Sequence, residues 1–343
     1  MPLITDYKAV MDVYAEAAGL GIALPAFCCE DRETLEGILA SSLKIGDKIG
    51  VDDLPVIPAW TCRYPPRGQM SLLPACGDTV LGTRMMFSDL EMFMGETSPY
   101  RKLRVLPHLD HGFPWLDSDI MEMFADKFAT IMYDASEKPF EENMRMTAAY
   151  VEKVKGKVVV EGAVDEIFEY SGGEQKNEPT TVKQAKKFLS ETGVEIIVPN
   201  VGTEHRATAD QVKYRSDRAK EISEAVGKIM CLHGTSSVKP EDLPKLCDDG
   251  FVKINVYTTL AVNGGQAVAR NVLGNLSNIF DQQQLEKLVT DGVLGQKVLD
   301  SEMPAKPKLA IVANPPRRDA WFEAVRDRCC DFLEVFNYRK FKK

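Results

Sequence analysis

Eight short apolar runs, each separated from the next by a more polar stretch, limit the folds open to this chain. The runs are GIALPAF (21–27), PVIPAW (55–60), RVLPHL (104–109), ATIMY (129–133), KVVVEG (157–162), VEIIVP (194–199), KIMCLH (228–233) and FVKINV (251–256). They are apolar at successive positions and rich in Val and Ile, as parallel strands covered on both faces are. Between them lie segments of helical period. DRETLEGILASSL (31–43) puts Leu35, Ile38 and Leu39 on one face. PFEENMRMTAAYVEKV (139–154), TVKQAKKFLSET (181–192), YRSDRAKEISEAVG (214–227) and PEDLPKLCDDG (240–250) follow. Pro244 predicts that the last is a short helix, started or interrupted there. Eight strands alternating with helices predict an α/β protein of the (β/α)8 TIM-barrel class, a fold of about 250 residues. The barrel is placed at roughly 15–270 within a catalytic domain spanning 1–275. Residues 276–343, with QQQLEKLVTDGVLGQKVL (282–299) and RRDAWFEAVRDRCCDFLEVF (317–336), form a C-terminal helical extension packed on the barrel or on a partner subunit.

Composition excludes several function classes. Of the 343 residues, 44% are hydrophobic and 27% charged, an ordinary soluble profile. No apolar run approaches the roughly 18 residues of a membrane span. The N-terminus, MPLITDYKAV, lacks the basic and apolar regions of a secretory signal. A formal net charge of −9 argues against a nucleic-acid surface. The eight cysteines include the adjacent pairs Cys28–Cys29 and Cys329–Cys330, and none forms a CxxC. They read as reduced thiols of a cytoplasmic protein, with Cys231 a small core residue. The expected partner is a small molecule, with neither nucleic acid nor membrane.

The chain has four histidines, and all four stand at the ends of strand-like runs: His108, His111, His205 and His233. In a barrel of this class the active site lies at the C-terminal ends of the strands. Asp110 falls at the same predicted rim, as do Asp134, Glu161 and Asn255. Three neutral imidazoles with an open fourth position suit a catalytic zinc ion. The spacing from 111 to 205 to 233 is too long for a local motif, so only the barrel could assemble them. One histidine alone reads better as a hydrogen-bonded core or rim residue; three at the same predicted rim point to a metal site. In LPHLDHG (106–112), strand alternation puts His108 and Asp110 on one side, with His111 at the turn. Gly234, Thr235, Ser236 and Ser237 follow the seventh run, and Asn255 and Thr258 the eighth. Loops in those positions hold phosphate in many barrels, although a polar turn with a capping hydroxyl fits as well. SGGEQKNE (171–178) reads as a mobile loop after strand five, either a solvated connection or the carrier of an acid/base, Glu174.

Several of these segments, taken in order, resemble the class II, metal-dependent ketose-bisphosphate aldolases, which include fructose-1,6- and tagatose-1,6-bisphosphate aldolases. The resemblance runs from about residue 1 to 275. HLDHG (108–112) is similar to the family's H-x-D-H-G, and MYDASEKPFEEN (132–143) to M-x-D-x-S-x-x-P-x-E-E-N. VEG (160–162) and SGGE (171–174) resemble the strand-five glutamate and the Gly-Gly-Glu loop. VGTEH (201–205), CLHGTSS (231–237) and VKINVYT (252–258) are similar to G-T-x-H, L-H-G-G-S-G and K-I-N-V-x-T. AFCCEDRETLEGIL (26–39) is placed like A-F-N-x-x-x-x-E-x-x-x-A-I-I.

The resemblance implies one catalytic Zn2+ per chain on His111, His205 and His233, with a monovalent cation as a further candidate. It implies Asp110 as acid/base at the C4 hydroxyl and Glu174 as the group that protonates C3. The metal would polarise the ketose carbonyl and stabilise an enediolate. His108, Asp134 and Glu161 would support the ligands. Thr61, Gly234, Ser236, Asn255 and Thr258 would hold the phosphate and the dihydroxyacetone part of a sugar or sugar phosphate. A homodimer or homotetramer is also implied.

There are departures. Arg206 follows His205 where the family has glycine, HGTSS stands for H-G-G-S-G, Ala163 replaces the second glutamate of V-E-x-E-L-G, and Cys28 replaces an asparagine. Gln175 and Thr259 also differ. These changes predict retained metal chemistry on a changed substrate, with Arg206 pairing a carboxylate or phosphate. The expected function is a metal-dependent aldolase. The alternatives are an epimerase or isomerase acting on a sugar or sugar acid, and a non-catalytic aldolase-like paralogue.

Overall fold

A computed structural model describes residues 3–65, 67–166, 178–205, 212–300, 304 and 308–342. The eight runs form eight parallel strands: β1 (Leu24–Cys28), β2 (Pro55–Thr61), β3 (His108–Gly112), β4 (Thr130–Tyr133), β5 (Val159–Ala163), β6 (Ile196–Val198), β7 (Met230–Leu232) and β8 (Phe251–Val256). Neighbours pair in sequence order, and β1 pairs with both β2 and β8, which closes a (β/α)8 TIM barrel. The third run is split. Arg104–Val105 pairs with Pro55–Val56, and β3 proper begins after Pro107, which has no N–H for the ladder. Every residue of the eight strands is buried, which is why their sequences run apolar instead of alternating.

Helices cover the barrel. They are α1 (Tyr7–Leu20), α2 (Arg32–Ile49), α3 (Thr79–Phe93), α4 (Phe140–Val154), α5 (Val182–Thr192), α6 (Ser216–Val226), α7 (Thr258–Leu273) and α8 (Asn314–Val335). α2 starts where Asp31 accepts the Thr34 N–H at 2.7 Å and buries Leu35, Ile38 and Leu39, as its period predicts. α5 opens with a reciprocal Thr181–Gln184 capping box. The segment around Pro244 is a 3₁₀ turn, Leu243–Cys247. The stretch 282–299 is two pieces, an α-helix over Gln282–Thr290 and a 3₁₀ turn over Gln296–Asp300, separated at Gly292 with φ of 75°.

α8 packs on α2 and α7, the helices that follow the first and last strands. Trp321 Nε1 donates to Thr34 Oγ1 at 2.8 Å, and Arg328 Nε donates to Thr259 Oγ1 at 3.0 Å. Beyond α8 the chain turns under the N-terminal end of the barrel. There Tyr338 is fully buried, and its hydroxyl donates to the Pro55 carbonyl at 3.0 Å. Tyr338→Ala is expected to lower unfolding free energy by about 3–5 kcal/mol, as large aromatic truncations do. Tyr338→Phe, which loses one hydrogen bond, is expected to cost about 1 kcal/mol. Urea denaturation of both variants checks the pair.

Candidate active site

The loops and strand ends at the C-terminal rim bring His111, His205 and His233 together, with ring nitrogens within 4.8 Å of one another. Ring centroids stand 4.8 Å apart for His111 and His233, and 5.1 Å for His111 and His205. His111 Nδ1 donates to Asp134 Oδ2 at 2.7 Å. The other Asp134 oxygen accepts from the Ser136 N–H at 3.1 Å and its hydroxyl at 2.5 Å. With Nδ1 so engaged, the lone pair of His111 lies on Nε2. That atom is buried without a hydrogen-bond partner in the protein, and so is Nε2 of His233. Buried polar atoms are seldom left unpaired. Two such nitrogens beside a third imidazole, one ring oriented by a carboxylate, form a donor set that fits zinc.

Strand alternation would send Asp110 and His111 to opposite faces. They both reach the mouth because His111 has a φ of 50° and the β3–β4 register slips between Leu109 and Gly112. Such an irregularity re-aims a side chain, here at a strain of about 1–3 kcal/mol. His111 Nε2 lies 3.9 Å from Asp110 Oδ1. The Tyr64 ring stacks on His111 at 5.0 Å, and its hydroxyl is 3.4 Å from His205 Nδ1.

Burial pushes His205 down to about 3 and His233 well below its ordinary range, which keeps both neutral and able to offer a lone pair. Burial also opposes charge on His111, but Asp110 and Asp134 outweigh it and raise that group. Asp110 is buried, which favours its neutral form. His111 and Arg67 overcome this and hold it well below the ordinary carboxylate range. Its Oδ1 accepts from Asn255 Nδ2 at 2.8 Å. Its Oδ2 accepts from Arg67 Nη2 at 3.2 Å and from the Cys28 thiol at 3.4 Å.

Below this layer Lys253 Nζ donates to Asn255 Oδ1 at 2.6 Å, Glu161 Oε2 at 2.9 Å and His108 Nε2 at 3.0 Å. Accepting from an ammonium leaves the His108 proton on Nδ1, which meets Thr130 Oγ1 at 2.7 Å. His108 and Glu161 therefore belong to the Lys253 cluster, one layer beneath the imidazole trio.

A cleft open to solvent lies over Asp110 and is bordered by Gly234, Ser236, Asn255 and Thr258, together with Arg67 and Tyr64. Gly234 has φ of 71°, and a Cβ there would stand 2.8 Å from the Glu204 carbonyl oxygen, so only glycine fits. The hydroxyls that replace glycines turn inward: Thr235 donates to the Asn255 carbonyl at 2.6 Å and Ser237 to the Gly234 carbonyl at 2.6 Å. Thr61 is fully buried, and its hydroxyl is donated to the Arg67 carbonyl. Glu174 and Arg206 lie outside the described residues. Arg67, Tyr64, Tyr257 and Lys253 are site residues that the sequence reading passes over. For Arg67 the available signal was its place in RYPPRG (63–68), directly after β2, where a barrel-mouth loop must lie.

Residues 78–303 match the family model described as fructose-bisphosphate aldolase class-II. A fructose-bisphosphate aldolase of Staphylococcus epidermidis is 29% identical over 185 residues, 52% of this chain and 62% of that protein. The chain thus spans less than two thirds of that relative. A fructose-bisphosphate aldolase of Streptococcus pneumoniae is 30% identical over 224 residues, 61% of this chain and 72% of that protein. The fold is similar to crystal structures of a Campylobacter jejuni fructose-bisphosphate aldolase, with TM-score 0.73, 18% identity and coverage of 98% and 95%, and of the YdjI aldolase from Escherichia coli K12, with 0.65, 19%, 97% and 98%.

The electrostatics predict an acid-sensitive core. Burial, reinforced by Lys253, pushes His108 from its ordinary 6.5 down to about 4. The unfolded chain therefore binds that proton more readily. The associated stability is present above pH 6.5 and is lost as pH falls toward 4. His205 and His233 act in the same direction in metal-free protein. Unfolding free energies between pH 7 and pH 4 are expected to decline through this window, and less steeply in His108→Gln. An equal slope in both proteins would remove His108 from the account.

Proposed function

The chain belongs to the class II fructose-bisphosphate aldolase family, and on that premise we propose that it is a zinc-dependent aldolase, a C–C lyase acting on a ketose phosphate or related sugar. The observation that carries this reading is the pair of buried, unpartnered Nε2 atoms of His111 and His233, set beside His205 and facing the Asp110 carboxylate. His111, His205 and His233 would hold the ion. Bound there, zinc supplies Lewis-acid polarisation of a substrate carbonyl.

Asp110 does the proton transfer in this reading. Held ionised, it takes the proton from the substrate hydroxyl as that carbon becomes an aldehyde, and returns it when the bond is made. Asn255 fixes the carboxylate through Oδ1, and Arg67 and Cys28 through Oδ2, at the edge of the cavity. Asp134 holds the His111 ring, and His108 and Glu161 support Asn255 through Lys253. Glu174, from its place after Gly172 and Gly173, is assigned the proton at the neighbouring carbon. Gly234, Ser236, Asn255 and Thr258 border the space assigned to a phosphate or to the three-carbon part of the sugar.

The reading extends to a cytoplasmic homodimer or homotetramer. Seven of the eight cysteines are buried thiols without a partner sulfur, in keeping with a reducing compartment. Among the described residues no helix is long and apolar enough to cross a membrane. Val262, Leu273 and Val293 are 48%, 60% and 66% exposed, apolar surface that contact between copies would bury. Light scattering on the purified protein is expected to give a mass two or four times that of the chain; a monomer mass would reject the assembly.

The decisive test pairs metal content with product analysis. Wild-type protein is expected to carry about one zinc per chain and to release an aldehyde fragment detectable by NMR. Asp110→Ala is expected to lose on the order of 100-fold or more in kcat while keeping its zinc. Full cleavage by Asp110→Ala would overturn the assignment, and a single isomeric product would replace the lyase with an isomerase.

A further inference from the structure

We propose that the Thr259 hydroxyl donates a hydrogen bond to the substrate, and that Arg328, from the C-terminal helix, positions it to do so. The proposal rests on the aldolase reading for what fills the cleft. It adds one residue that selects the substrate and a second that acts through the first.

Thr259 is the second residue of α7 and borders the cleft beside Thr258. It is one of the positions at which the chain departs from the family's pattern. Its Oγ1 accepts two hydrogen bonds, from Arg328 Nε at 3.0 Å and from Asn263 Nδ2 at 3.2 Å. A hydroxyl carries two lone pairs and one proton. With both pairs engaged by N–H donors, the group can act further only by donating. Among the described residues no acceptor takes that proton. One of the two donors is a guanidinium. A charged donor on a hydroxyl oxygen polarises its O–H bond and strengthens the hydrogen bond it gives in turn. Asn263 Nδ2 also donates to the Thr259 carbonyl at 2.7 Å, so the residue is gripped at side chain and backbone together.

Arg328 is held for this contact. Its guanidinium lies 4.6 Å from the ring centroid of the buried Phe332, and Nη1 donates to Asp331 Oδ2 at 3.2 Å. α8 itself sits close against α7: a Cβ at Gly264 would stand 2.7 Å from the Trp321 ring, so the helices can approach this closely only over glycine. A guanidinium so stacked and tethered is placed before any ligand arrives. α8 spans Asn314–Val335, beyond the residues 78–303 that match the family model. Through Arg328 a helix outside that match reaches the first turn of α7 at the cleft. A donor at Thr259 selects an oxygen acceptor on the ligand and rejects an ammonium or amide hydrogen at the same place.

A phosphate oxygen and a ketose oxygen share this chemistry, and calorimetry with two probes separates them. Dihydroxyacetone phosphate and dihydroxyacetone are titrated into zinc-loaded wild type, Thr259→Val, Thr259→Ser, Arg328→Met, Arg328→Lys and the Thr259→Val/Arg328→Met double variant. Zinc content and thermal midpoint are measured for each. Thr259→Val is expected to lose about 5- to 30-fold in affinity for at least one probe, and Thr259→Ser to bind as wild type does. Arg328→Met is expected to lose about 3- to 10-fold and Arg328→Lys to recover in part. The double variant is expected to bind no more weakly than Thr259→Val, because Arg328 acts through the hydroxyl. Zinc content is expected to stay the same throughout. A loss confined to dihydroxyacetone phosphate places the acceptor on the phosphate, and an equal loss for both probes places it on the three-carbon chain. Unchanged affinity in Thr259→Val, a loss in Thr259→Ser as large as in Thr259→Val, or additive losses in the double variant would overturn the proposal, as would zinc-loaded wild type that binds neither probe. Failure of the aldolase reading would show differently, as wild type without zinc that releases no aldehyde.

Discussion

Lys253 enters the barrel from β8 with no exposure to solvent, and the surrounding side chains are arranged to keep its charge there. Burial works against an ammonium in that place, yet the nearby Glu161 and Asp110 carboxylates hold its pKa above the ordinary lysine value. Its bonds reach β3 through His108, β5 through Glu161 and β8 again through Asn255. Removing one partner of such a buried pair typically costs about 3–5 kcal/mol, because the other charge is stranded. The cluster can therefore exist only when opposite walls of the barrel are correctly registered. It also fixes the site above it. Asn255 gives its oxygen to Lys253 and its amide hydrogen to Asp110, so the orientation of the proton-transfer candidate is set from inside the barrel.

Above that cluster one carboxylate meets two groups. His111 lies 3.9 Å from Asp110 and Arg67 lies 3.2 Å from it, and both favour its ionised form. The trio is built by a backbone irregularity at His111, and Arg67 by a loop clasped to Thr61. Neither depends on a flexible surface residue. The site is stiff where charge must be placed, in keeping with catalysis by preorganised electrostatics.

The strands were legible because a strand buried on both faces leaves a continuous apolar run, and each of the eight runs overlaps one. Helices with strong local signals, such as α2 with Asp31 or α5 with its capping box, were legible for the same reason: the determinants are local. α1 and α3, each with an aspartate cap, were not marked by period, although both bury apolar residues. In the site, His111, His205 and His233 stood out because histidine is rare in this chain and each lies near a strand end. Arg67, Tyr64 and Lys253 did not. Arginine, tyrosine and lysine are common, and their roles arise only when segments distant in sequence converge. Glu161 could be placed at the end of β5, but pattern alone could not show that it meets Lys253 and lies below the imidazoles.

The two ends of the barrel divide the work. The C-terminal rim carries the strained His111 and buried nitrogens without partners, both of which cost stability. The opposite end is tied down. Arg104 joins the strand that begins the third run to Glu16 of α1 at 2.6 Å, and Tyr338 closes against the Pro55 carbonyl. α8 bridges the helices after β1 and β8, so it clamps the seam at which the sheet closes on itself. In a barrel the seam has no covalent continuity of its own, because its two strands are the first and the last. A long helix from the far end of the chain, laid across that seam, lets the rim hold an unfavourable arrangement without opening the sheet beneath it.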